Sequence, residues 1–134
     1  MNKNFYLLIG IVVIAAAGFG FRATLLKDVI CKPGQGEDVA FEVRSVENEW
    51  RYDPADLRIN KCDKVTITIY NEDEYDHGFA IDVFGVNQRI NPMQVTTIKF
   101  TASKTGEFVA YCSVPCGEGH FDHVGTVTVV EVEE

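Results

Sequence analysis

Residues 111–125 read YCSVPCGEGHFDHVG, so Cys112, Cys116, His120 and His123 crowd into one short stretch. The chain holds three histidines in all, and the third, His77, follows an acidic run at the start of an apolar segment. Thiolate sulfur and imidazole nitrogen together suit soft and borderline metals. A structural zinc site wants two ligand pairs separated by a dozen or more residues, so that the chain can wrap a tetrahedron. The spacing Cys-x3-Cys-x3-His-x2-His is too compact for that. Covalent haem needs a histidine directly after the second cysteine, where Gly117 stands. A dithiol redox motif has two residues between its cysteines and opens a helix in an α/β chain; neither condition is met. Copper remains, because cysteine and histidine presented by loops of a rigid β-scaffold are the ingredients of electron-transfer copper sites. One copper would take one cysteine, two histidines and a weak axial group; the second cysteine allows two thiolates to bridge two coppers.

The elements that must carry these residues are strands. VAFEVRS (39–45), KVTITIY (64–70), QVTTIKF (94–100) and VGTVTVVEV (124–132) alternate with period two and are rich in β-branched residues. LRIN (57–60), GFAIDVF (78–84) and GEFVAY (106–111) are shorter candidates. Turn signals at Asp53-Pro54, Lys61-Cys62-Asp63, 71–76, Asn91-Pro92 and 103–106 separate them. This pattern predicts an all-β domain, an antiparallel sandwich or barrel with Greek-key connections, with no helical period after residue 27. The domain is expected over 39–134, preceded by a linker over 25–38 that includes Lys32-Pro33-Gly34.

Residues 1–24 contain the apolar run FYLLIGIVVIAAAGFGF (5–21), flanked by Lys3 and Arg22. Its length is at the lower edge of a membrane span and predicts an N-terminal hydrophobic helix acting as anchor. A secretory signal peptide satisfies the same pattern. Either reading exports the domain to the outer face of a membrane, an oxidising compartment. There the two remaining cysteines, Cys31 and Cys62, are expected to form a disulfide, with free thiols or an intermolecular bridge as the alternatives. The formal net charge is −8, and the first 22 residues hold cations but no acid, so the exported part is more acidic still. Such a surface argues against a nucleic-acid partner. Its acids cluster at Glu47/Glu49, Glu72-Asp73-Glu74 with Asp76, and 131–134. Solubility explains them, as does a cationic protein partner.

Residues 76–129, running from DHGFAIDVFG to YCSVPCGEGHFDHVGTVTV, resemble the binuclear CuA domain of haem-copper (cytochrome c) oxidase subunit II, also present in nitrous oxide reductase. Upstream, EWRYDPADLRINKCDKVTITIYN (49–71) is similar to the cupredoxin pattern of an aromatic, a proline and an apolar strand, so the resemblance covers about 39–132. It implies that His77 and His120 each bind one copper, that Cys112 and Cys116 bridge both, and that Val114 offers its backbone carbonyl. An acidic side chain stands at the Val114 position in many large oxidases and reaches a magnesium there; valine cannot. His123 departs from the family, which has a methionine as weak axial ligand. Imidazole is the harder, stronger donor and should lower the reduction potential. His123 therefore has three readings: ligand in a modified two-copper centre, anchor of a single copper with Cys116, His120 and His77, or no ligand. Trp50 is a candidate for receiving electrons, by analogy with aromatics in this region of CuA domains, or else an aromatic packed on the barrel. Tyr111 and Phe79 are expected to shield the metal, and Met93 to pack.

The resulting expectation is a membrane-anchored copper electron-transfer protein, a CuA-like subunit II of a respiratory terminal oxidase. It would accept single electrons from a c-type cytochrome and pass them to a haem-bearing partner. No catalytic acid, base or nucleophile is apparent in the chain. A mononuclear cupredoxin carrier and a copper-delivery protein for oxidase assembly are the alternatives, the latter belonging to an α/β fold with helices after its cysteines. A zinc-stabilised module is a weaker alternative.

Overall fold

A computed structural model describes residues 30–132. The chain divides into two units, and the second, Cys31–Glu134, carries every strand described. The segment 5–21, and with it the expected N-terminal helix, lies outside the described residues. Among the described residues, no helix is long and apolar enough to cross a membrane.

Nine strands form two sheets. They are β1 (Asp38–Ser45), β2 (Tyr52–Asp53), β3 (Asp56–Asn60), β4 (Lys64–Asn71), β5 (His77–Ile81), β6 (Val86–Ile90), β7 (Val95–Thr101), β8 (Gly106–Tyr111) and β9 (Val124–Val130). One sheet has the order β2-β1-β4-β7, the other β3-β9-β8-β5-β6. The all-β expectation holds, but the purely antiparallel one does not: β1 runs parallel to β4 and β3 parallel to β9. Each of these pairs joins strands separated by intervening chain, so no tight hairpin constrains their direction. Period-two patterning identifies a strand and its buried face; it is silent on the direction of the neighbour.

Two elements differ locally from expectation. GFAIDVF does not remain extended: β5 stops at Ile81, and Asp82–Phe84 form a 3-10 turn closed by Gly85 at φ 65°. The chain then returns antiparallel as β6, whose sequence VNQRI is too polar to advertise a strand. Inward residues of β1, β3, β4, β7 and β9 alternate as the pattern requires. Val43, Leu57, Ile59, Val65, Ile67, Ile69, Ile98, Val127 and Val129 meet in one core with Phe79 and Ile81. Each such side chain contributes about 1.5–3 kcal/mol on burial, which holds the sheets face to face and the loops above them in place. Cys31 and Cys62 are joined by a disulfide, with Cα atoms 5.4 Å apart, inside the usual span for such bridges.

Candidate metal centre

The site lies where β1, β4, β5, β8 and β9 release or receive their loops. β5 begins at His77, β8 ends at Tyr111 just before Cys112, and β9 begins at Val124 just after His123. The intervening loop 112–123 is closed at its base by the Cys112 amide donating to the His123 carbonyl, 3.0 Å. It crosses directly over Gly78. A side chain at Gly78 would sit 2.3 Å from Ser113 Oγ and 2.7 Å from Ser113 N, so only glycine admits this approach.

Donor atoms of His77, Cys112, Cys116 and His123 all lie within 4.8 Å of one another, and all four residues are buried. His77 Nδ1 is 3.9 Å from Cys112 Sγ, the two sulfurs are 3.4 Å apart, and Cys116 Sγ is 3.5 Å from His120 Nδ1. The carbonyl oxygen of Val114 approaches Cys112 Sγ to 3.1 Å. The order imidazole, sulfur, sulfur, imidazole thus runs unbroken from His77 to His120. His123 is fully buried on the His77 side, its ring 4.6 Å from the His77 ring. Its Nε2 is 3.5 Å from Ser45 Oγ, and its Nδ1 has no hydrogen-bond partner among the described residues. A buried polar nitrogen left orphaned is costly. An orphaned imidazole nitrogen beside two thiols suits a metal ligand, and the donor set fits copper.

The protein also sets the charge of this cluster. Burial alone would push the Cys112 thiol up, but the neighbouring imidazoles of His123 and His77, and the amide of Gly78 3.3 Å from its sulfur, outweigh burial and hold Cys112 at about 4. Burial, reinforced by the neighbouring Cys112 thiolate, pushes Cys116 up to about 12. Burial and the Cys112 thiolate thus both oppose ionisation of the second sulfur in the metal-free pair. Burial opposes protonation of His77, yet its hydrogen bonds with Cys112 and Asp73 prevail, and its pKa is raised.

Asp73 is the functional residue that sequence reasoning missed, having been grouped with surface acids. It is 1% exposed, and its Oδ2 accepts from His77 Nε2 at 2.6 Å. Its Oδ1 accepts from the Asn48 amide, 2.8 Å, and its own amide donates to Asn71 Oδ1 in an Asx-type turn. Buried Asn71 also donates to the carbonyls of Tyr75 and Asn91, which fastens the loop before β5. A carboxylate behind a ligating histidine fixes the ring and raises its basicity. The spacing signal was present, since Asp73 and His77 are four residues apart, but nothing in the sequence says that this acid turns inward.

Other expectations change on contact with the structure. Tyr111 does not shield the cluster; its hydroxyl donates outward to Asp82, 2.8 Å, because side chains alternate along β8 and Ala110 takes the inner face. Tyr52 does the shielding instead, its ring tilted against the His123 ring at 4.1 Å, with Phe79 edge-on behind it at 5.1 Å. Met93 does not pack: it sits in a turn at φ 52° and is 67% exposed. Trp50 is half-buried, and its Nε1–H donates to the Cys116 carbonyl, 3.0 Å.

The cupredoxin-like domain family matches residues 11–129. This chain belongs to that family. It is 36% identical over 77 residues to nitrous-oxide reductase of Stutzerimonas stutzeri, which covers 55% of this chain and 12% of the relative. It is 29% identical over 80 residues to cytochrome c oxidase subunit 2 of Thermus thermophilus, 60% of this chain and 58% of that one. The chain thus spans a small part of the first relative and little more than half of the second. In fold it is similar to the periplasmic domain of subunit II of cytochrome oxidase of Bradyrhizobium japonicum. The TM-score is 0.60 at 21% identity, covering 70% of this chain and 85% of that one. The chain is a cupredoxin-like domain homologous to these proteins, and its histidine–cysteine cluster fits a CuA-type site.

Proposed function

We propose that this protein is a membrane-anchored, CuA-like subunit II of a terminal oxidase, working on the outer face of a membrane. It accepts single electrons from a c-type cytochrome and passes them to a haem-bearing subunit. The observation that carries this reading is the continuous array from His77 Nδ1 through the two sulfurs to His120 Nδ1. Cys112, Cys116, His77 and His120 would hold the metal, with the Val114 carbonyl and His123 as further donors. When bound, copper supplies the one-electron couple. The chain's own residues keep the geometry constant through that change: Asp73 orients His77, the Gly78 amide steadies Cys112, and Tyr52 excludes water. The homology to oxidase subunit 2 and the apolar segment before the domain support the oxidase and membrane parts of the proposal.

A second reading rests on the tighter foursome of His77, Cys112, Cys116 and His123, from which His120 is absent. It describes a mononuclear cupredoxin carrier in which His123 is a full ligand. Copper stoichiometry combined with electron paramagnetic resonance separates the two. Two coppers per chain sharing one unpaired electron equally support the CuA-like reading; one copper with a single-nucleus hyperfine pattern supports the carrier. Tight zinc without copper defeats both. The variant His123→Met tests the axial role. Replacing imidazole by a weak thioether raises the reduction potential if His123 ligates, and leaves it unchanged if not.

A further inference from the structure

The two elements that supply the donors are the loop 112–123 and the turn leading into β5. One further segment touches both. The chain between β1 and β2 makes a tight turn over 46–51, closed by the Val46 amide on the Arg51 carbonyl, 3.1 Å, and by the Glu49 amide on the Val46 carbonyl, 3.2 Å. On one side of this turn the Asn48 amide donates to Asp73 Oδ1, and Asp73 in turn holds His77. On the other side Trp50 Nε1–H donates to the Cys116 carbonyl. Both Asn48 and Trp50 adopt the left-handed backbone region, φ 57° and 46°, which non-glycine residues reach only against a steric cost. Within this turn, the two residues held in that region are the two that make these bonds.

The contact on the cysteine side is steric as well as polar. The Trp50 ring lies on the backbone of Gly117 and Gly119, and a methyl group at Gly119 would come within 2.5 Å of ring carbons. Gly119 has φ −87°, a conformation open to any residue. Its lack of a side chain is therefore explained by the indole above it, not by its backbone.

We propose that the 46–51 turn is a brace that sets the separation of His77 from the cysteine pair, with Trp50 as its positioning residue. The turn fastens the Asp73–His77 unit at one end and the peptide after Cys116 at the other. It therefore fixes two donors from different strands relative to each other before any metal arrives. The inference rests on the copper reading only for its consequence; the brace itself belongs to the metal-free chain.

The test uses the full chain and four variants. Trp50→Phe keeps an aromatic ring and removes the donor, and Trp50→Ala removes both. Gly119→Ala keeps the donor and collides with the ring. Trp50→Ala with Gly119→Ala removes both the collision and the clamp. Because Trp50 is the one tryptophan in the chain, its fluorescence reports the contact without metal. Gly119→Ala is expected to shift and broaden that emission as the indole is expelled. In copper-loaded chain, Trp50→Phe is expected to speed copper release about fivefold, the worth of one net hydrogen bond, and to alter the copper hyperfine pattern with no donor protein present. Gly119→Ala should release copper faster still, and the double variant should be no worse than Trp50→Ala alone. Unchanged emission in Gly119→Ala overturns the brace. So does a Trp50→Phe variant whose resting spectrum and copper release match the parent while only its reduction by a donor slows, since Trp50 would then serve electron passage alone. A parent chain that takes up no copper defeats the copper reading and leaves the brace to be decided by the fluorescence.

Discussion

The two ends of the donor array are built differently. His77 is fully buried, hydrogen-bonded behind by an equally buried Asp73, and faced by the rings of Tyr75 at 5.1 Å and His123 at 4.6 Å. His120 lies half-buried in a three-residue 3-10 turn. Among the described residues its only polar side-chain contact is Cys116, and the neighbouring Phe121 is 87% exposed. One imidazole is thus oriented by the protein, while the other depends on what it binds. On the proposed function a rigid inner end would keep geometry constant between oxidation states, and the outer end would shorten the distance to whatever exchanges electrons with the site.

Cavity variants should break this comparison most sharply. His120→Gly opens a half-exposed position, so copper lost from that variant is expected to be restored by free imidazole in the buffer. His77→Gly leaves a sealed hole behind the sulfurs, and the same imidazole should fail to restore it. Visible absorbance of the copper-loaded chain reads both, and equal rescue of the two would remove the asymmetry.

Asp73→Ala probes the inner end alone. It strips His77 of its acceptor and leaves the Asn48 amide unpaired, and loss of such a partner typically weakens metal binding about 10–100-fold. Competition against a copper chelator measures this. No comparable effect is expected from acids near His120, such as Glu118→Ala, which has no hydrogen bond with the site among the described residues.

A smaller effect concerns the metal-free chain and acid. Cys112 is held at about 4 in the fold against an ordinary value of 9.0. Between those values unfolding takes up a proton at this sulfur, so its contribution to stability rises with pH across that window and is lost as pH falls toward 4, while the raised pKa of His77 contributes in the opposite sense. Urea unfolding at a series of pH values should show the rise, and Cys112→Ser should flatten it. At the outer end, Phe121→Ala should change stability by no more than about 0.5 kcal/mol, as for most exposed positions. It should leave the copper spectrum alone and slow only the exchange of electrons with a donor, seen in stopped-flow reduction. A changed resting spectrum would show that Phe121 orders His120 rather than greets a partner.

The contrast also separates what could be read from the sequence and what could not. Alternation exposed β1, β4, β7 and β9, because residues such as Val65, Ile67 and Ile69 share one face at period two. The donors stood out because cysteine and histidine are few and cluster. The polar strand β6 stayed hidden because VNQRI lacks apolar alternation, and the parallel pairing of β1 with β4 because it depends on a neighbour distant in sequence. Asp73 stayed hidden for a related reason. Its inward turn is imposed by Asn71 and Asn48, whose roles exist only once β4 and the 46–51 turn are side by side. Tyr111 misled because adjacency along a strand places neighbours on opposite faces.

The disulfide between Cys31 and Cys62 has a mechanical consequence. Tension applied to the chain before Cys31 passes through sulfur to Cys62, bypassing the intervening residues 32–61, and arrives next to the start of β4. That strand runs eight residues to Asn71, roughly 25 Å at about 3.3 Å each, before the turn that holds Asp73. The point where force enters and the turn that holds Asp73 therefore sit at opposite ends of one strand, bonded on both sides by β1 and β7. A tug on the leading segment is absorbed by two ladders of hydrogen bonds before it can disturb the spacing of the sulfurs.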